Sequence, residues 1–536
     1  MTVGSRPQQS YLPADTSVEL VDASVGMLLA RRCAEHPDRV AIVGMRHGTG
    51  ECERLTYRQL YTEAAGVASA LSLLARPGES VALWAPNVLE WAVIQYAAAL
   101  SGLVLVALNP VLRDDELEYA LTHSGATVLL HADVSRDYPM AEVAARVCDR
   151  IPGLQRFSLS EDRWRAADVD GAELPDVGVD EVAMLQYTSG TTGRPKGVVL
   201  THRALVNVAK LTLEAAAAPA GAVCVNPLPM FHTAGCVIAT LGPLWLGGTA
   251  VLIERFTPDA ALEVLRAERP DVLFYVPAIL DALLAVQRAG GAPAPRIPIV
   301  MGGAALVSPE LIDGAAQVFG STVLNLFGQT ELAPVLSMTR PDDSRADRLS
   351  TVGRPLPQVE CKIVDPVSGS VVAVGEPGEI CARGYQQFAG YLHDPAATAF
   401  TVDSDGFVHT GDVGSMDGRG YLTVTGRLKD IIIRGGENIS PADIERQLAG
   451  HEVVTDIAVL GLPDDRWGEI VAAVVRADAD AASIRDVLVA RAQSALAPFK
   501  VPSRWFLADE FPVTPTGKVR KFALRDAILR GEIREL

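Results

Sequence analysis

The sequence predicts an α/β fold, with a large N-terminal domain of layered α/β sheets, a β-rich subdomain and a small C-terminal α+β domain. Helix-like and short apolar segments alternate up to about residue 425, which is typical of α/β layers around buried sheets. From about Val359 the pattern changes to short strands with Gly and Asp turns. At 536 residues the chain also exceeds one core, since single cores stop growing near ~250–300 residues.

The first domain reads as helices and apolar strands in turn. We predict helices at Ser24–Glu35, Tyr57–Leu74 and Leu89–Leu100, and strands at Val81–Trp84, Leu103–Leu108, Ala126–Leu130, Ala250–Ile253, Val272–Val276, Ile297–Met301 and Thr322–Leu326. One run, Trp91–Leu108, is nearly all apolar and approaches the length of a membrane span. Because Ser101-Gly102 interrupts it, we predict a buried helix followed by a buried strand.

A charged break at Gly426–Asp430 separates the last part of the chain. Beyond it, a helix is predicted to begin at Ser440-Pro441, because Ser is a good N-cap and Pro suits the first helical position. The other predicted elements are strands at Ile431–Ile433, Ile457–Leu460 and Ile470–Val475 and a helix near Ile484–Leu496. We therefore expect an N-terminal domain at residues 1–426, a hinge at 427–429 and a C-terminal domain at 430–536.

Composition and charge argue against several classes of partner and site. The net charge of −18 argues against a nucleic-acid partner, which requires a basic face. The seven cysteines include no CxxC pair, so neither a zinc site nor a disulfide framework is indicated. The segment Met1–Glu19 is polar and has no apolar signal core. Together these features predict a cytoplasmic protein without a membrane span, since a reducing compartment suits free thiols.

The clearest motif is Tyr187–Gly197, YTSGTTGRPKG, which follows a predicted strand. Glycine and small hydroxyl residues let backbone N–H groups converge on a phosphate. The loop residues expected to contact phosphate are Thr188, Ser189, Gly190, Thr191, Thr192 and Lys196. Pro195 precedes Lys196 and Gly197 follows it, whereas a Walker loop has Gly, Lys and Ser/Thr in succession. The spacing therefore excludes a GTPase or a P-loop kinase.

This loop resembles the signature of the adenylate-forming superfamily, which includes acyl-CoA synthetases, aryl-CoA ligases, luciferases and the adenylation domains of peptide synthetases. Six further segments are similar to motifs of that family and occur in its order: Pro229–Gly235, Met301–Ala305, Asn325–Glu331, Val408–Asp412, Gly426–Glu445 and Pro515–Lys518. The residues before 187 also look like the family's N-terminal half. The resemblance thus covers nearly the whole chain and implies an adenylation domain followed by a mobile C-terminal domain.

The resemblance implies roles for single residues. Those expected to bind ATP or AMP are Gly303 and Ala304 beside adenine and acyl group, Asn325, Phe327 and Gly328 at adenine, Asp412 at ribose, and Arg427 at ribose or phosphate. Those expected to serve the reaction are Thr330 at the α-phosphate, Glu331 on Mg²⁺, His232 near the acid pocket, and Lys518 between the substrate carboxylate and the α-phosphate. Lys429 occupies the hinge position, and Gly435 and Gly436 are expected beside the thiol tunnel.

These residue types suit adenylation. A carboxylate is a poor acyl donor until it forms a mixed anhydride with AMP, and that step brings two anions together. Mg²⁺ and a lysine ammonium neutralise such charge, so ATP and Mg²⁺ are expected cofactors. A thiol then attacks the anhydride without a strong base, because a few per cent of a free thiol is thiolate at neutral pH. CoA is the expected co-substrate.

The acid is predicted only by class. Amino-acid-activating relatives carry an Asp near the second motif, whereas here Phe231 is followed by His232, which disfavours an α-amino acid. The segments expected to line the pocket are mostly small or apolar: His232–Thr240, Val276–Ile279, Gly302–Ala305 and Phe327–Leu336. We therefore expect a hydrophobic acid, which leaves aliphatic, aromatic and polycyclic acids open.

Alternatives remain for the acceptor and for the chemistry. The acyl group goes either to CoA or to the phosphopantetheine of an acyl carrier protein. A luciferase-like oxygenase or a non-catalytic nucleotide-binding module would carry the same motifs. The nucleotide end of CoA requires basic residues, for which the candidates are Arg434, Lys500, Arg504 and Lys521. The oligomeric state is open between monomer and homodimer.

Overall fold

The computed structural model describes residues 9–161, 163–165, 174–188, 195–303, 307–434, 437–449, 454–464, 466–477, 481–514 and 519–536. The helices are α1 (Val25–Glu35), α2 (Tyr57–Ser72), α3 (Leu89–Ser101), α4 (Asp114–Ser124), α5 (Met140–Cys148), α6 (His202–Ala215), α7 (Ala239–Trp245), α8 (Pro258–Glu268), α9 (Pro277–Ala289), α10 (Pro309–Phe319), α11 (Arg345–Ser350), α12 (Pro395–Thr401), α13 (Pro441–Leu448), α14 (Ala481–Ala495) and α15 (Lys521–Leu529).

The strands are β1 (Tyr11–Leu12), β2 (Val40–Met45), β3 (Cys52–Thr56), β4 (Ser80–Trp84), β5 (Val104–Leu108), β6 (Val128–His131), β7 (Gln155–Ser158), β8 (Val182–Thr188), β9 (Lys196–Thr201), β10 (Val223–Asn226), β11 (Thr249–Leu252), β12 (Val272–Tyr275), β13 (Ile299–Gly303), β14 (Thr322–Phe327), β15 (Ser337–Met338), β16 (Arg354–Pro355), β17 (Val359–Val364), β18 (Gly378–Gly384), β19 (Gly390–Tyr391), β20 (Val408–Met416), β21 (Leu422–Arg427), β22 (Ile432–Arg434), β23 (Glu437–Ile439), β24 (Asp456–Asp464), β25 (Gly468–Arg476), β26 (Arg504–Leu507) and β27 (Arg534–Glu535).

The chain forms two compact units, and the predicted α/β class is confirmed. The large unit contains residues 13–361 and 382–408, and the small unit contains the described residues of 1–12, 362–381 and 409–536. Residues 362–381 and 409–426 thus group with the C-terminal part of the chain rather than with the preceding α/β layers. Within this group, β20 is antiparallel to β21.

Two large sheets form the large unit. A nine-stranded sheet has the order β16-β15-β14-β13-β12-β10-β11-β2-β3, and a seven-stranded sheet has the order β19-β9-β8-β5-β4-β6-β7. Their central strands pair in parallel, as β13 does with β12 and β14 and β5 does with β4 and β8. Ligand sites in such sheets form beyond the carboxyl ends of the strands, which is where the predicted motif residues occur.

The apolar run Trp91–Leu108 folds as predicted. Helix α3 and strand β5 are buried along their whole length, and Gly102 joins them in the left-handed conformation, with φ of 68°. Glycine adopts this conformation at no steric cost. In the described part of the chain, no helix combines the length and the apolar character needed to cross a membrane.

The small unit contains most of a five-stranded sheet of order β1-β17-β18-β20-β21 and a six-stranded sheet in which β23, β22, β25, β26 and β27 follow one another and β24 pairs with β25. Helices α13 and α14 contribute Ile444 and Leu488 to a core that also holds Trp505 of β26. This arrangement matches the predicted α+β character of the C-terminal residues, including the helix that begins at Pro441.

Candidate active site

Two glycines shape the end of the nine-stranded sheet. Gly302 of β13 lies beside Asn325 of β14, and a Cβ on Gly302 would lie 1.9 Å from the Tyr275 carbonyl oxygen. At Gly303 the nearest carbonyl oxygen would be 2.1 Å away. Because only glycine fits such approaches, the strand ends form a flat backbone surface. Ala304, predicted with Gly303, lies outside the described residues.

Asn325 is held at both ends of its buried side-chain amide. The Tyr275 hydroxyl donates to Oδ1 at 3.1 Å, and Nδ2 donates to the Arg348 carbonyl oxygen at 3.3 Å. Burial raises the pKa of Tyr275, so its phenol stays neutral and keeps its proton as a donor. These bonds fix the orientation of the amide. Tyr275 was not predicted as a site residue.

Beyond β14 the chain turns sharply. Phe327 ends the strand, and at Gly328 a Cβ would lie 2.1 Å from the Pro334 carbonyl oxygen. A 3-10 turn at Thr330–Leu332 follows. The turn puts the predicted phosphate and metal residues, Thr330 and Glu331, directly after the strand end.

Glu331 has a phenol partner that the sequence did not reveal. Its side chain is buried, with 9% of the residue surface exposed, and the Tyr391 hydroxyl donates to Oε1 at 2.7 Å. The Phe388 backbone N–H donates to the Glu331 carbonyl oxygen at 2.9 Å. Burial, the nearby negative charge and this hydrogen bond all raise the pKa of Tyr391, so the phenol remains a donor.

Lys196 lies over the face of the same ring. Its ammonium nitrogen is 4.6 Å from the centroid of the Tyr391 ring, within cation–π range. Lys196 begins β9 and faces Thr188 of β8, because these strands pair antiparallel. Strands β8 and β9 therefore pair on either side of the phosphate loop, and α6 follows β9 from His202. Ser189, Gly190, Thr191 and Thr192 lie outside the described residues.

The second motif forms a tight turn before α7. The His232 N–H donates to the Pro229 carbonyl oxygen at 3.1 Å, and the Ala234 N–H donates to His232 Nδ1 at 3.2 Å. Since Nδ1 accepts, the neutral ring carries its proton on Nε2. A Cβ on Gly235 would lie 2.2 Å from the Pro229 carbonyl oxygen. A π-helical turn at Ala234–Ile238 continues the segment, and such turns occur often at functional sites.

Asn87 ties this segment to a neighbouring strand end. Its Nδ2 donates to the carbonyl oxygens of Leu228 at 2.8 Å and Ile253 at 3.1 Å, while its Oδ1 accepts from the Met230 N–H at 2.8 Å. All three bonds are buried. Asn87 therefore fixes the chain just before His232, although no motif identified it in the sequence.

The described thiols are mostly buried and protonated. Burial raises the pKa of Cys224, Cys236 and Cys361 far above the usual range and that of Cys148 to about 11. Cys236 belongs to the second-motif segment, where Gln186 Nε2 donates to its sulfur at 3.4 Å. These thiols act as apolar packing groups.

In the small unit, two predicted nucleotide residues form a pair. Asp412 of β20 lies opposite Arg427 of β21, and Arg427 Nε donates to Asp412 Oδ1 at 2.6 Å. Asp412 is buried, with 4% of its surface exposed. The guanidinium thus compensates a buried carboxylate.

A carboxylate from the adjacent strand holds the turn before Asp412. Glu379 Oε2 accepts from His409 Nδ1 at 2.7 Å, and Glu379 Oε1 accepts from the Gly411 N–H at 2.9 Å. Gly411 has φ of 70°, which glycine tolerates. Cys381 Sγ lies 3.5 Å from the same histidine nitrogen. Although Glu379, Cys381 and His409 offer metal-ligand atoms within 4.8 Å of one another, hydrogen bonds already use those atoms.

The hinge residue has an exposed side chain, although its ammonium group is partly desolvated. Lys429 lies in a 3-10 turn at Leu428–Asp430. Burial lowers its pKa, and the positive charge of Arg427 lowers it further. Lys518, Gly435 and Gly436, predicted as catalytic and tunnel residues, lie outside the described residues.

The four candidate cations for CoA fall into two classes. Arg504 forms hydrogen bonds of 2.7 and 2.6 Å with Glu535, and Lys521 pairs with Glu445 at 2.6 Å. The other two belong to what we call the aromatic–basic patch, which consists of Arg434, Arg466, Trp467, Phe499 and Lys500.

In this patch the Trp467 ring has two arginines near it. The guanidinium carbons of Arg434 and Arg466 lie 5.8 and 4.9 Å from its centroid. Trp467 is 41% exposed and Phe499 is 38% exposed. Arg434 also donates to the Phe499 carbonyl oxygen at 2.7 Å. The patch combines exposed rings with cations.

The comparisons with known proteins agree with these features. The family profile described as "AMP-binding enzyme" matches residues 29–392, and the profile described as "AMP-binding enzyme C-terminal domain" matches residues 443–518. A feruloyl-CoA synthase of Amycolatopsis is 37% identical, over 95% of this chain and 98% of the relative. A mitochondrial medium-chain acyl-CoA ligase of Rattus norvegicus is 30% identical, over 96% of this chain and 89% of the relative.

A solved structure shows the same likeness in three dimensions. The crystal structure of ATP-bound MatB from Rhodopseudomonas palustris has a TM-score of 0.82 and 28% identity, and the match covers 95% of this chain and 99% of that chain.

Proposed function

Since this chain belongs to the AMP-binding enzymes and is an ATP-dependent acid–CoA ligase of the acyl-CoA synthetase type, we propose that its motif residues activate a hydrophobic, non-amino acid substrate and pass the acyl group to CoA. One observation carries the proposal. Asn325 lies in the last part of β14, Thr330 and Glu331 follow the end of that strand, and Glu331 shares Tyr391 with Lys196 of the phosphate loop. The residues proposed to bind adenine, the α-phosphate and the metal thus belong to one segment of the large unit, and Tyr391 contacts both that segment and the end of the phosphate loop.

The nucleotide roles follow from donor chemistry. A primary amide has two N–H donors and two acceptor positions, so Asn325 retains capacity for the edge of adenine beside the flat surface at Gly302 and Gly303. Phe327 packs on the base. A carboxylate accepts two hydrogen bonds from vicinal hydroxyls, so Asp412 holds the ribose, with Arg427 alongside it.

Mg²⁺ fits Glu331. The cation prefers oxygen ligands and is usually bound by one or two carboxylates together with phosphate and water. Tyr391 engages one carboxylate oxygen and leaves the other for a metal. When bound, Mg²⁺ neutralises negative charge on the phosphates. Lys196 adds a positive charge at the phosphates, and Thr330 adds a hydroxyl at the α-phosphate.

In the first step, a carboxylate oxygen of the acid attacks the α-phosphorus of ATP. A P–O bond forms to give the acyl-adenylate, and the bond to pyrophosphate breaks. Lys518 bridges the two anions electrostatically. In the second step the sulfur of CoA attacks the acyl carbon and AMP leaves. Because Lys518 would obstruct the thiol, the C-terminal residues turn about the hinge at 427–429 between steps.

The aromatic–basic patch favours CoA over a carrier protein. Exposed rings stack on a nucleobase, and arginine and lysine pair with phosphates. CoA carries an adenine nucleotide, whereas the phosphopantetheine of a carrier protein does not. Trp467 and Phe499 are therefore proposed at the base of CoA, and Arg434, Arg466 and Lys500 at its phosphates.

The acid is proposed to be hydrophobic. The second-motif segment carries His232 and no carboxylate to pair with an ammonium group, and Gly235, Cys236, Val237 and Ile238 after it are buried apolar residues. Relatives named feruloyl-CoA synthase and medium-chain acyl-CoA ligase act on acids with large apolar parts. Aryl and medium-chain aliphatic acids are therefore the first to test.

The experiment measures ATP consumption with CoA present and absent over a panel of fatty, aryl and terpenoid acids, with mass detection of products. An acyl-CoA product is expected for at least one acid. Pyrophosphate and acyl-adenylate without acyl-CoA would move the acceptor to a carrier protein, and no pyrophosphate with any acid would contradict the proposal.

A matched pair of variants tests the CoA assignment. Trp467→Ala should raise the KM for CoA and leave the KM for pantetheine unchanged, because pantetheine lacks the nucleotide. Trp245→Ala removes another indole, which stacks with Arg32 and lies outside the patch, and should not distinguish the two thiols. Equal effects of Trp467→Ala on both would contradict the role of the patch.

A further inference from the structure

We propose that Tyr391 is a positioning residue, which orients Glu331 for the metal ion and holds Lys196 apart from it, so that both charges remain available to Mg²⁺–ATP. The inference rests on the proposed function, in which Glu331 binds the metal and Lys196 meets phosphate. It adds a residue that none of the adenylation motifs above contains.

The hydroxyl of Tyr391 orients the Glu331 carboxylate. Tyr391 donates to Oε1 of Glu331 at 2.7 Å, and a hydrogen bond to an ionised acceptor is short and strong. The terminal torsion of a glutamate is otherwise broad, so this bond restricts rotation of the carboxylate and orients Oε2. The backbone of Glu331 is held as well, through its carbonyl oxygen and the Phe388 N–H. Side chain and main chain of Glu331 are thus fixed from the same segment.

The aromatic ring of Tyr391 positions the Lys196 side chain. The Lys196 ammonium lies 4.6 Å from the Tyr391 centroid, and the Phe388 ring packs edge-on against the same ring at 4.9 Å. Backbone pairing maintains this arrangement, since Tyr391 of β19 lies opposite Val198 of β9. The Leu392 N–H also donates to the Gly197 carbonyl oxygen at 2.8 Å. Tyr391 and the end of the phosphate loop are therefore parts of one hydrogen-bonded ladder.

Together, the two contacts of Tyr391 keep Lys196 and Glu331 from pairing with each other. An ammonium and a buried carboxylate that contact the same side chain would gain by pairing with each other, and that pair would compete with both metal and phosphate. The phenol gives each charge its own partner: the ring face for Lys196 and the hydroxyl for Glu331. Arriving Mg²⁺–ATP then meets an oriented carboxylate oxygen and an ammonium that is not locked in a salt bridge with it.

Two substitutions separate the two contacts. Tyr391→Phe removes the hydroxyl and keeps the ring, whereas Tyr391→Leu removes both. Tyr138→Phe is the control, because it removes a tyrosine hydroxyl that donates to the Leu112 carbonyl oxygen at 3.0 Å and touches neither charge. The readout is binding of Mn²⁺–ATP to the full-length protein by water proton relaxation, and of metal-free ATP by calorimetry in chelator, both without acid substrate.

Tyr391→Phe should raise the dissociation constant of Mn²⁺–ATP about tenfold, the lower end of what an outer-shell partner of a metal ligand contributes. Its affinity for metal-free ATP should match that of the unsubstituted protein. Tyr391→Leu should weaken both, and Tyr138→Phe neither. An unchanged Mn²⁺–ATP affinity in Tyr391→Phe would overturn the proposal, provided that Glu331→Gln lowers that affinity. If Glu331→Gln has no effect either, the metal assignment within the proposed function fails instead.

Discussion

Arg427 and Asp412 face each other across the antiparallel strands β20 and β21, and the Arg427 Nε donates a 2.6 Å hydrogen bond to the Asp412 carboxylate. Both residues are proposed nucleotide ligands. The pair orients the Asp412 carboxylate. A ribose with two adjacent hydroxyls fits that geometry, and this relationship leads to the first prediction.

Asp412→Asn should weaken ATP binding and leave turnover nearly unchanged. The amide keeps the shape but loses the charge that strengthens bonds to ribose hydroxyls, and ribose contacts are the same in ground state and transition state. We expect the KM for ATP to rise about tenfold, which corresponds to roughly 1.4 kcal/mol, with little change in kcat. Asp180→Asn, in an exposed pair with Arg203, is the control. A fall in kcat at unchanged KM would contradict the ribose role.

Asn87→Ala should loosen the second-motif segment. It leaves two buried carbonyl oxygens and one buried N–H without their partner, and an unsatisfied buried group costs about 1–3 kcal/mol. We expect unfolding free energy to fall by about 3 kcal/mol and the KM for the acid to rise. Urea denaturation and acid saturation curves measure the two effects.

Asn109→Ala provides the comparison for that variant, because the Asn109 side chain accepts an exposed local bond from the Val111 N–H, and the substitution keeps the backbone carbonyl that accepts from Trp84. It should change stability little. If Asn87→Ala lowers stability but leaves the KM for every acid unchanged, Asn87 supports the fold without positioning the pocket.

Low pH should destabilise the large unit, because His202 gains a proton when the chain unfolds. This histidine is buried, its Nδ1 accepts from the Val25 N–H at 3.4 Å, and burial lowers its pKa from 6.5 to about 4. Between those values the unfolded chain binds the extra proton, so stability falls as pH drops from 6.5 to 4. The full effect is about 3 kcal/mol. Urea midpoints at several pH values should fall less steeply in His202→Gln, which keeps an acceptor but does not titrate. Parallel pH profiles would contradict this assignment.

Lys518→Ala should separate the two half-reactions. The loss of one charge-stabilising donor should lower adenylation by roughly 10²–10³, while thioester formation from supplied acyl-adenylate should continue. Rapid-quench assays of each step make the comparison. Arg530→Ala, which removes a surface cation paired with Glu532, should slow neither step. Equal loss of both half-reactions in Lys518→Ala would remove the lysine from its proposed role.

Local patterns predicted the motif residues but not their partners. Asn325 and Glu331 stand in one short segment whose composition is distinctive. Tyr275 and Tyr391 reach them from 50 and 60 residues away, and nothing in their own neighbourhoods indicates the contact. Asn87 is similar, since its three bonds join segments that become neighbours only when the sheet forms.

The strand after the phosphate loop could not be predicted from the sequence, for a different reason. No strand was predicted between the phosphate loop and the helix after it, yet Lys196–Thr201 form β9, and α6 begins at His202. The apolar run of β9 is only three residues long, Val198–Leu200, which fits a strand or a helix start equally well, and pairing with β8 decides between them.

The burial of the thiols has a chemical consequence for a ligase. An acyl-adenylate acylates any thiolate it meets, so the catalyst risks modifying itself while it waits for its acceptor. Cys236 lies in the segment next to the proposed pocket, yet burial raises its pKa so far that it stays protonated at neutral pH, as do Cys224 and Cys361. Only thiolate is an effective nucleophile. The interior thereby protects these cysteines from self-acylation and reserves the activated acyl group for the incoming thiol.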